Sequence, residues 1–247
     1  MPTIDMLGSL PPPVFTDPRR VSIDLHMHLR QLIFENQLPP GAVLKQAQLA
    51  RVFGVSRTPM REAFRMLQEE GLIDVEVDQR AKVRELDGEE LDQLYSVRIA
   101  LEALGARMTA GRLTEEEQAL ARRRLGEMDE AQDSGDMVRW MEAHRSFHRV
   151  CISRADEPLL RVAESYARRS ERYLRLYQLW HPQSFSVAHG EHDGILDAII
   201  EGNVAKAGTR MATHLAHTSL TVLRDVAGRS DGTATQHALA MARDPRR

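Results

Sequence analysis

Four histidines on apolar helical stripes are the residues of this sequence with the clearest potential for chemistry. His144 and His148 lie four positions apart in a predicted helix, so both imidazoles project from the same face. His192 and His214 lie in line with aliphatic residues of two later predicted helices. A buried imidazole needs a partner, because an unpaired buried polar group costs roughly 1–3 kcal/mol. The spacing leaves two interpretations open: core histidines that each bond a neighbour, or four ligands of a divalent metal.

A predicted helix with a basic face is the second feature of this sequence that indicates a function. Arg57, Arg61 and Arg65 recur on one face, and Thr58 joins them near the start of the helix. The apolar residues at helical spacing on another face are Met60, Ala63, Phe64 and Leu67. Arginines and small hydroxyls on one side of a half-buried helix suit the major groove of DNA. The alternative is an ordinary solvated surface helix.

The segments before the basic helix favour DNA binding. Gln46–Phe53 predicts a preceding helix, and Gly54-Val55 supplies the small residue and the apolar residue that a helix–turn–helix requires. Ser56 is predicted to begin the basic helix, because its hydroxyl can accept a hydrogen bond from a first-turn amide. We also expect Ser56 to contact a DNA phosphate.

Two short segments with partial alternation follow the basic helix and predict a β-hairpin, the wing. They are Leu72–Val77 and Ala81–Leu86, separated by Asp78-Gln79-Arg80. Arg80 and Lys82 are the basic residues near the predicted tip, where they could contact phosphate or the minor groove of DNA.

The charge of the chain is unevenly distributed. The whole chain has a formal net charge of −3, yet residues 19–84 contain 11 bases and 8 acids, which is a net +3. The positive excess therefore lies in the segment with the basic helix, as phosphate binding requires. Because this excess is small, we expect DNA binding to need a homodimer.

Composition and periodicity predict a mainly α protein, because Leu, Ala, Arg, Glu and Met are plentiful. We predict a flexible N-terminal tail (1–18) and a winged helix–turn–helix domain with a small β-hairpin wing (19–86). An antiparallel all-α bundle of about six helices (87–227) and a mostly disordered tail (228–247), with a short helix around Gln236–Ala242, should follow. A single cysteine, no long apolar run and no secretory-type N-terminus predict a cytoplasmic protein without a membrane segment.

Two sets of sequence blocks resemble known bacterial regulators. The first set is L-P-P-G-A-V-L (Leu38–Leu44), L-A-R-V-F-G-V-S-R-T-P-M-R-E-A-F (Leu49–Phe64) and E-E-G-L-I (Glu69–Ile73). It resembles the winged helix–turn–helix domain of GntR-type transcription regulators. The second set is L-Y-S-V-R-I-A-L-E-A-L-G-A-R (Leu94–Arg107), F-H-R (Phe147–Arg149), E-H-D-G-I-L-D-A-I (Glu191–Ile199) and A-x-x-x-M-x-x-H-L (Ala207–Leu215). It resembles the ligand-sensing FCD domain of the FadR-like branch.

The resemblance implies a metal site in the predicted bundle. In many FCD domains, three histidines and an acid four residues before the first of them hold a divalent metal. His148, His192 and His214 match the histidines, whereas His144 stands in the acid position. Four neutral imidazoles would leave the metal charge uncompensated, so the site would attract a carboxylate more strongly. Imidazole ligands favour Zn²⁺, with Ni²⁺ or Co²⁺ as alternatives, over Mg²⁺.

Arg98 falls in the R-x-x-L-E pattern that the resemblance supplies. Its guanidinium could clamp the same carboxylate bidentately, or it could form a surface ion pair. We therefore treat Arg98 as a candidate effector-binding residue.

Taken together, these features predict a sequence-specific regulator of transcription, expected to be a repressor. It would bind a pseudo-palindromic double-stranded operator as a homodimer, under the control of a small carboxylate effector bound at the metal. Two alternatives stay open. In one, the metal itself is the signal; in the other, the protein is a metal-dependent hydrolase with Glu191 or Asp193 as its base, although helix geometry turns both away from His192.

Overall fold

The structure, a computed structural model, describes residues 10–15, 17–75, 80–180, 184–225 and 230–243. Its residues group into two units, Met1–Leu86 and Asp87–Arg247. The first unit contains α1 (Val21–Phe34), β1 (Val43–Lys45), α2 (Gln46–Val52), α3 (Arg57–Glu69), β2 (Ile73–Val75) and β3 (Arg80–Val83). This order of elements is that of a winged helix–turn–helix fold, as the sequence predicts.

The core of the first unit explains why α3 presents its basic face to solvent. Met60, Ala63, Phe64 and Leu67 of α3 are buried against leucines of α1 and α2. The turn between α2 and α3 contains Gly54 at a φ of +66°, a left-handed conformation that glycine adopts without strain. The apolar side of α3 is therefore fixed in the core, and its arginines must point outwards.

A three-stranded antiparallel sheet completes the first unit, with the strand order β1-β3-β2. Val43 pairs with Lys82, and Ile73 pairs with Val83. The predicted hairpin is thus present in the described residues, and its second strand ends at Val83 rather than at Leu86. Asp78 and Gln79 of its predicted tip lie outside the described residues, and Arg80 begins β3.

Seven helices are described in the second unit. They are α4 (Gly88–Thr109), α5 (Glu115–Ser134), α6 (Met137–Cys151), α7 (Glu157–Trp180), α8 (Ser184–Ile200), α9 (Val204–Asp225) and α10 (Thr233–Arg243). Thr114 and Glu117 form the capping box at the start of α5. Among the described residues, we find no helix with the length and apolar character that crossing a membrane demands. The seven helices of this unit and the small sheet of the first unit confirm the mainly α fold class.

Both chain ends differ from the expected tails where the structure describes them. Leu10 is buried in the core of the first unit, and Nε2 of His28 lies 2.8 Å from the carbonyl oxygen of Pro11. At the other end, the short helix expected around Gln236–Ala242 lies within α10, and α10 packs against α4 and α9. Asp92 of α4 accepts hydrogen bonds from the amides of Ala234 (3.0 Å) and Thr235 (2.8 Å). Periodicity alone missed these contacts, because each tail is short and its partner is distant in sequence.

Candidate functional site

The four predicted histidines converge inside the second unit. His144 and His148 come from α6, His192 from α8 and His214 from α9, and one ring nitrogen of each lies within 4.8 Å of the others. The ring centroids of His144 and His148 are 4.4 Å apart, as are those of His192 and His214. All four side chains are buried. We call these four residues the histidine cluster.

Two carboxylates orient the histidine cluster from outside. Nδ1 of His148 donates to Oε2 of Glu102 at 2.8 Å, and Nδ1 of His214 donates to Oε2 of Glu191 at 2.8 Å. The bond to Glu102 leaves Nε2 of His148 as an acceptor, and this buried atom has no hydrogen-bond partner among the described residues. Nε2 of His192 is buried and unpartnered in the same way. Orientation of an imidazole by a carboxylate is the arrangement usually found behind metal-binding histidines.

Burial disfavours the charged form of three imidazoles of the cluster. It lowers the pKa of His144 and His192 well below the ordinary value, and the neighbouring imidazoles lower these pKa values further. Burial also lowers the pKa of His148, although its hydrogen bond to Glu102 acts in the opposite direction. Neutral imidazole is the form that coordinates metals. The donor set therefore fits a divalent ion of the zinc type.

A cavity of about 290 Å³ lies beside the cluster, between α4, α6 and α7. Arg98, Glu102, His144 and His148 line one end of it. Arg98 is buried, so the surface ion pair considered from sequence is wrong. Its Nε donates to Oε1 of Glu102 at 2.7 Å, and an Nη donates to the hydroxyl of Ser170 at 2.9 Å.

Part of the predicted DNA-reading face of α3 is solvent-exposed. Arg57, Thr58 and Arg61 are exposed, and within the described residues neither arginine forms an ion pair. Arg65 differs, because it pairs with Glu62 (3.1 Å) and with Glu69 of its own helix. Arg65 is therefore less available to DNA than the sequence pattern suggests.

Ser56 occupies the N-cap position of α3, but its side chain makes no capping hydrogen bond. The prediction that the Ser56 hydroxyl caps the helix is therefore wrong. The hydroxyl is exposed and stands beside the first-turn amides, so it can contact an external anion together with them.

The wing residues fall on β3. Arg80 is exposed at the start of the strand, whereas Nζ of Lys82 is 2.7 Å from Oε1 of Glu85. Within the part of the chain that the structure describes, Lys82 is therefore the more restrained of the two basic residues.

Sequence reasoning missed the roles of Glu102 and Glu191. From sequence, Glu102 is only the last residue of the R-x-x-L-E pattern, whereas its carboxylate bonds both Arg98 and His148. Glu191 was considered only with its neighbour His192, whereas its carboxylate bonds His214 and lies 2.7 Å from Nδ1 of His217. Helical spacing carries no signal for such bonds, because their partners lie on different helices.

The chain is similar to known regulators over most of its length. The family described as "Bacterial regulatory proteins, gntR family" matches residues 24–83, and the FCD domain matches residues 93–217. An uncharacterized HTH-type transcriptional regulator in an unstable DNA locus of Streptomyces ambofaciens is 30% identical over 201 residues, which are 78% of this chain and 80% of that protein. The uncharacterized HTH-type transcriptional regulator YdhC of Bacillus subtilis (strain 168) is 24% identical over 196 residues, 79% of this chain and 88% of that protein.

Among solved structures, E. coli McbR/YncC shares the fold, with a TM-score of 0.69 and 23% sequence identity. The alignment covers 83% of this chain and 98% of that chain. The two family matches agree with the structure, because the first falls on the winged helix–turn–helix unit and the second on the helical unit. The protein therefore belongs to the GntR family of DNA-binding transcription regulators and carries an FCD domain.

Proposed function

We propose that the protein is a repressor whose operator binding is controlled by a small carboxylate bound at a metal in the histidine cluster. The observation that carries this proposal is the convergence of four buried imidazoles beside a cavity. Family membership makes the chain a transcription regulator rather than an enzyme. The hydrolase alternative is therefore excluded.

The proposed metal ligands are His144, His148, His192 and His214. Two unpartnered Nε2 atoms and two orienting carboxylates support this assignment, because unpaired buried nitrogens are costly unless something binds them. Zn²⁺ is the proposed ion, with Ni²⁺ and Co²⁺ as the other candidates that suit imidazole. When bound, the ion supplies a positive charge that an effector carboxylate can neutralise.

Arg98 is proposed to assist in binding the effector. Two of its five N–H donors are used by Glu102 and Ser170, which fix the guanidinium at one end of the cavity. The remaining donors can bond a carboxylate there. Glu102 already neutralises the guanidinium, so the metal is the stronger attraction for an anion.

Operator binding is proposed to use Ser56, Arg57, Thr58 and Arg61 of the reading helix, with Arg80 on the wing. Arg65 and Lys82 are proposed as weaker contacts, because each already pairs with a carboxylate. A homodimer would present two reading helices to a pseudo-palindromic operator in the cytoplasm. An effector can control binding only if it has different affinities for the DNA-binding and released states.

The DNA contacts can be tested after the operator is selected from random duplexes. Arg57→Ala and Arg61→Ala should each weaken operator binding by about 1–3 kcal/mol, as expected for a bidentate contact to a base. Arg65→Ala is the matched control on the same helix and should weaken binding less. Normal operator affinity in the double variant Arg57→Ala/Arg61→Ala would show that α3 is not the reading helix.

The control of operator binding is tested with metal-free and zinc-loaded protein. We expect release from the operator when zinc and a carboxylate are both present, and His148→Ala should abolish that response. Release by zinc alone, with no effect of any carboxylate, would instead identify the metal as the signal. Absence of stoichiometric zinc binding would overturn the proposed metal site.

A further inference from the structure

The cavity beside the histidine cluster has a mixed lining that restricts what can bind in it. One end carries Arg98 and His148, as described above. The long wall on α7 includes Ala163 and Ala167, two small residues one helical turn apart, and Leu174 extends the apolar surface. The two alanine side chains leave space at the wall that larger residues would fill.

Each arginine along the cavity has a carboxylate partner. Arg98 bonds Glu102, Arg145 lies 2.6 Å from Glu171, and Arg149 lies 2.5 Å from Glu164. The fourth, Arg168, is 3.9 Å from the other oxygen of Glu164. Such pairing matters most for Glu102 and Glu171, because their side chains are only 2% and 3% exposed. Glu164 thus serves two of the four arginines, and Glu142, which also lines the cavity, brings the carboxylates to four. The lining therefore offers no net positive charge to a second anionic group.

We infer that the effector has a single carboxylate on a compact apolar body, such as a branched, cyclic or aromatic ring, and is not a di- or tricarboxylate. This inference rests on the proposed function, which places the carboxylate at the metal end. The apolar body would then lie against Ala163, Ala167 and Leu174. A second carboxylate would meet Glu164 and Glu171 instead of an unpaired cation, and like charges in a confined site repel.

The cavity volume agrees with a small acid. About 290 Å³ lies at the lower end of the roughly 300–1,000 Å³ of ligand pockets in proteins. A single ring or a short branched chain with one carboxylate is of suitable size.

Matched acids test this inference on the full-length, zinc-loaded protein. Isothermal titration with benzoate and isophthalate compares the same ring with one or two carboxylates, and isovalerate and 3-methylglutarate repeat the comparison on an aliphatic body. We expect the monocarboxylate of each pair to bind at least about tenfold more tightly, which corresponds to about 1.4 kcal/mol.

Two variants assign the binding to this cavity. Ala167→Leu should fill the wall and abolish monocarboxylate binding while zinc content and operator affinity stay unchanged. Glu164→Gln should remove the carboxylate that pairs with Arg149 and Arg168. It should therefore reduce the difference in affinity between benzoate and isophthalate. Glu157→Gln is the control, because Glu157 pairs with Arg161 on the same helix but is not part of the cavity lining.

The outcomes separate this inference from the proposed function. Dicarboxylates that bind as tightly as their monocarboxylate counterparts would overturn the inferred effector class and leave carboxylate control intact. Monocarboxylate binding that survives Ala167→Leu would overturn the assigned cavity. A zinc-loaded protein that binds the operator but none of the acids would overturn the carboxylate effector itself, and this inference with it.

Discussion

Glu102 Oε2 lies 2.8 Å from Nδ1 of His148, while Oε1 of the same carboxylate lies 2.7 Å from Nε of Arg98. One buried carboxylate thus joins the histidine cluster to the cationic end of the cavity. Burial alone would raise the pKa of Glu102, but Arg98 and His148 bring that pKa well below its ordinary range. Glu102 is therefore charged and holds both partners in place.

Replacement of Glu102 should destabilise the protein strongly. Glu102→Gln leaves the buried charge of Arg98 uncompensated, and breaking one side of a buried ion pair typically costs about 3–5 kcal/mol. Urea unfolding of metal-free protein measures this loss. A loss below about 1 kcal/mol would show that Arg98 finds another partner.

Replacement of Glu191 should affect metal binding more than stability. Its side chain is 26% exposed, and it orients His214 through Nδ1. Glu191→Gln should weaken zinc binding by about 10–100-fold, the usual effect of removing a carboxylate behind a metal-binding histidine. Competition with a zinc chelator gives the affinity, and Glu201→Gln on the exposed surface is the control. An unchanged zinc affinity would argue against His214 as a ligand.

The first unit should lose stability in acid because of Glu70. Burial would raise the pKa of this carboxyl, but His26 and Arg30 lower it below its ordinary value of 4.5. As the pH falls below that value, the unfolded chain takes up a proton more readily than the folded chain, so the stabilisation present at higher pH is lost. Urea unfolding between about pH 7 and pH 3 should show this loss, and Glu70→Gln should show a shallower pH dependence. Equal pH dependence in both proteins would contradict the assignment.

The C-terminal helix α10 should depend on Asp92. This buried carboxylate accepts hydrogen bonds from the Ser230 hydroxyl and from the amides of Ala234 and Thr235. Asp92→Ala should lower the free energy of unfolding by on the order of 2–3 kcal/mol, because hydrogen bonds to a carboxylate are stronger than bonds between neutral groups. Hydrogen exchange of α10 amides measures the loosening. Asp231→Ala, an exposed residue at the same helix start, should have a smaller effect.

Much of the fold follows from local patterns, and much of the site does not. The stripe through Met60 and Leu67 predicts which face of α3 is buried, and the spacing of His144 and His148 places both rings on one face of α6. Helical periodicity describes one helix at a time, however. The bonds from Glu102 and Glu191 to the histidines connect separate helices, so they appear only when the bundle is assembled.

The same limit applies to single residues of the reading helix. Ser56 has the residue type of a helix cap, but its backbone position does not oblige the hydroxyl to bond the first turn. Arg65 belongs to the basic stripe, yet the acids three positions before it and four positions after it hold its side chain along the helix. A residue type indicates what a side chain can do, and neighbouring groups decide which of those bonds forms.

The uncapped start of α3 has a consequence for the thermodynamics of operator binding. Without a bond from Ser56, the first-turn amides of Arg57 and Thr58 have no side-chain acceptor among the residues that the structure describes. A DNA phosphate can supply the missing acceptor, so the helix gains its cap at the moment of binding. Because every duplex presents phosphates, this contact should add to the affinity for cognate and random duplexes alike.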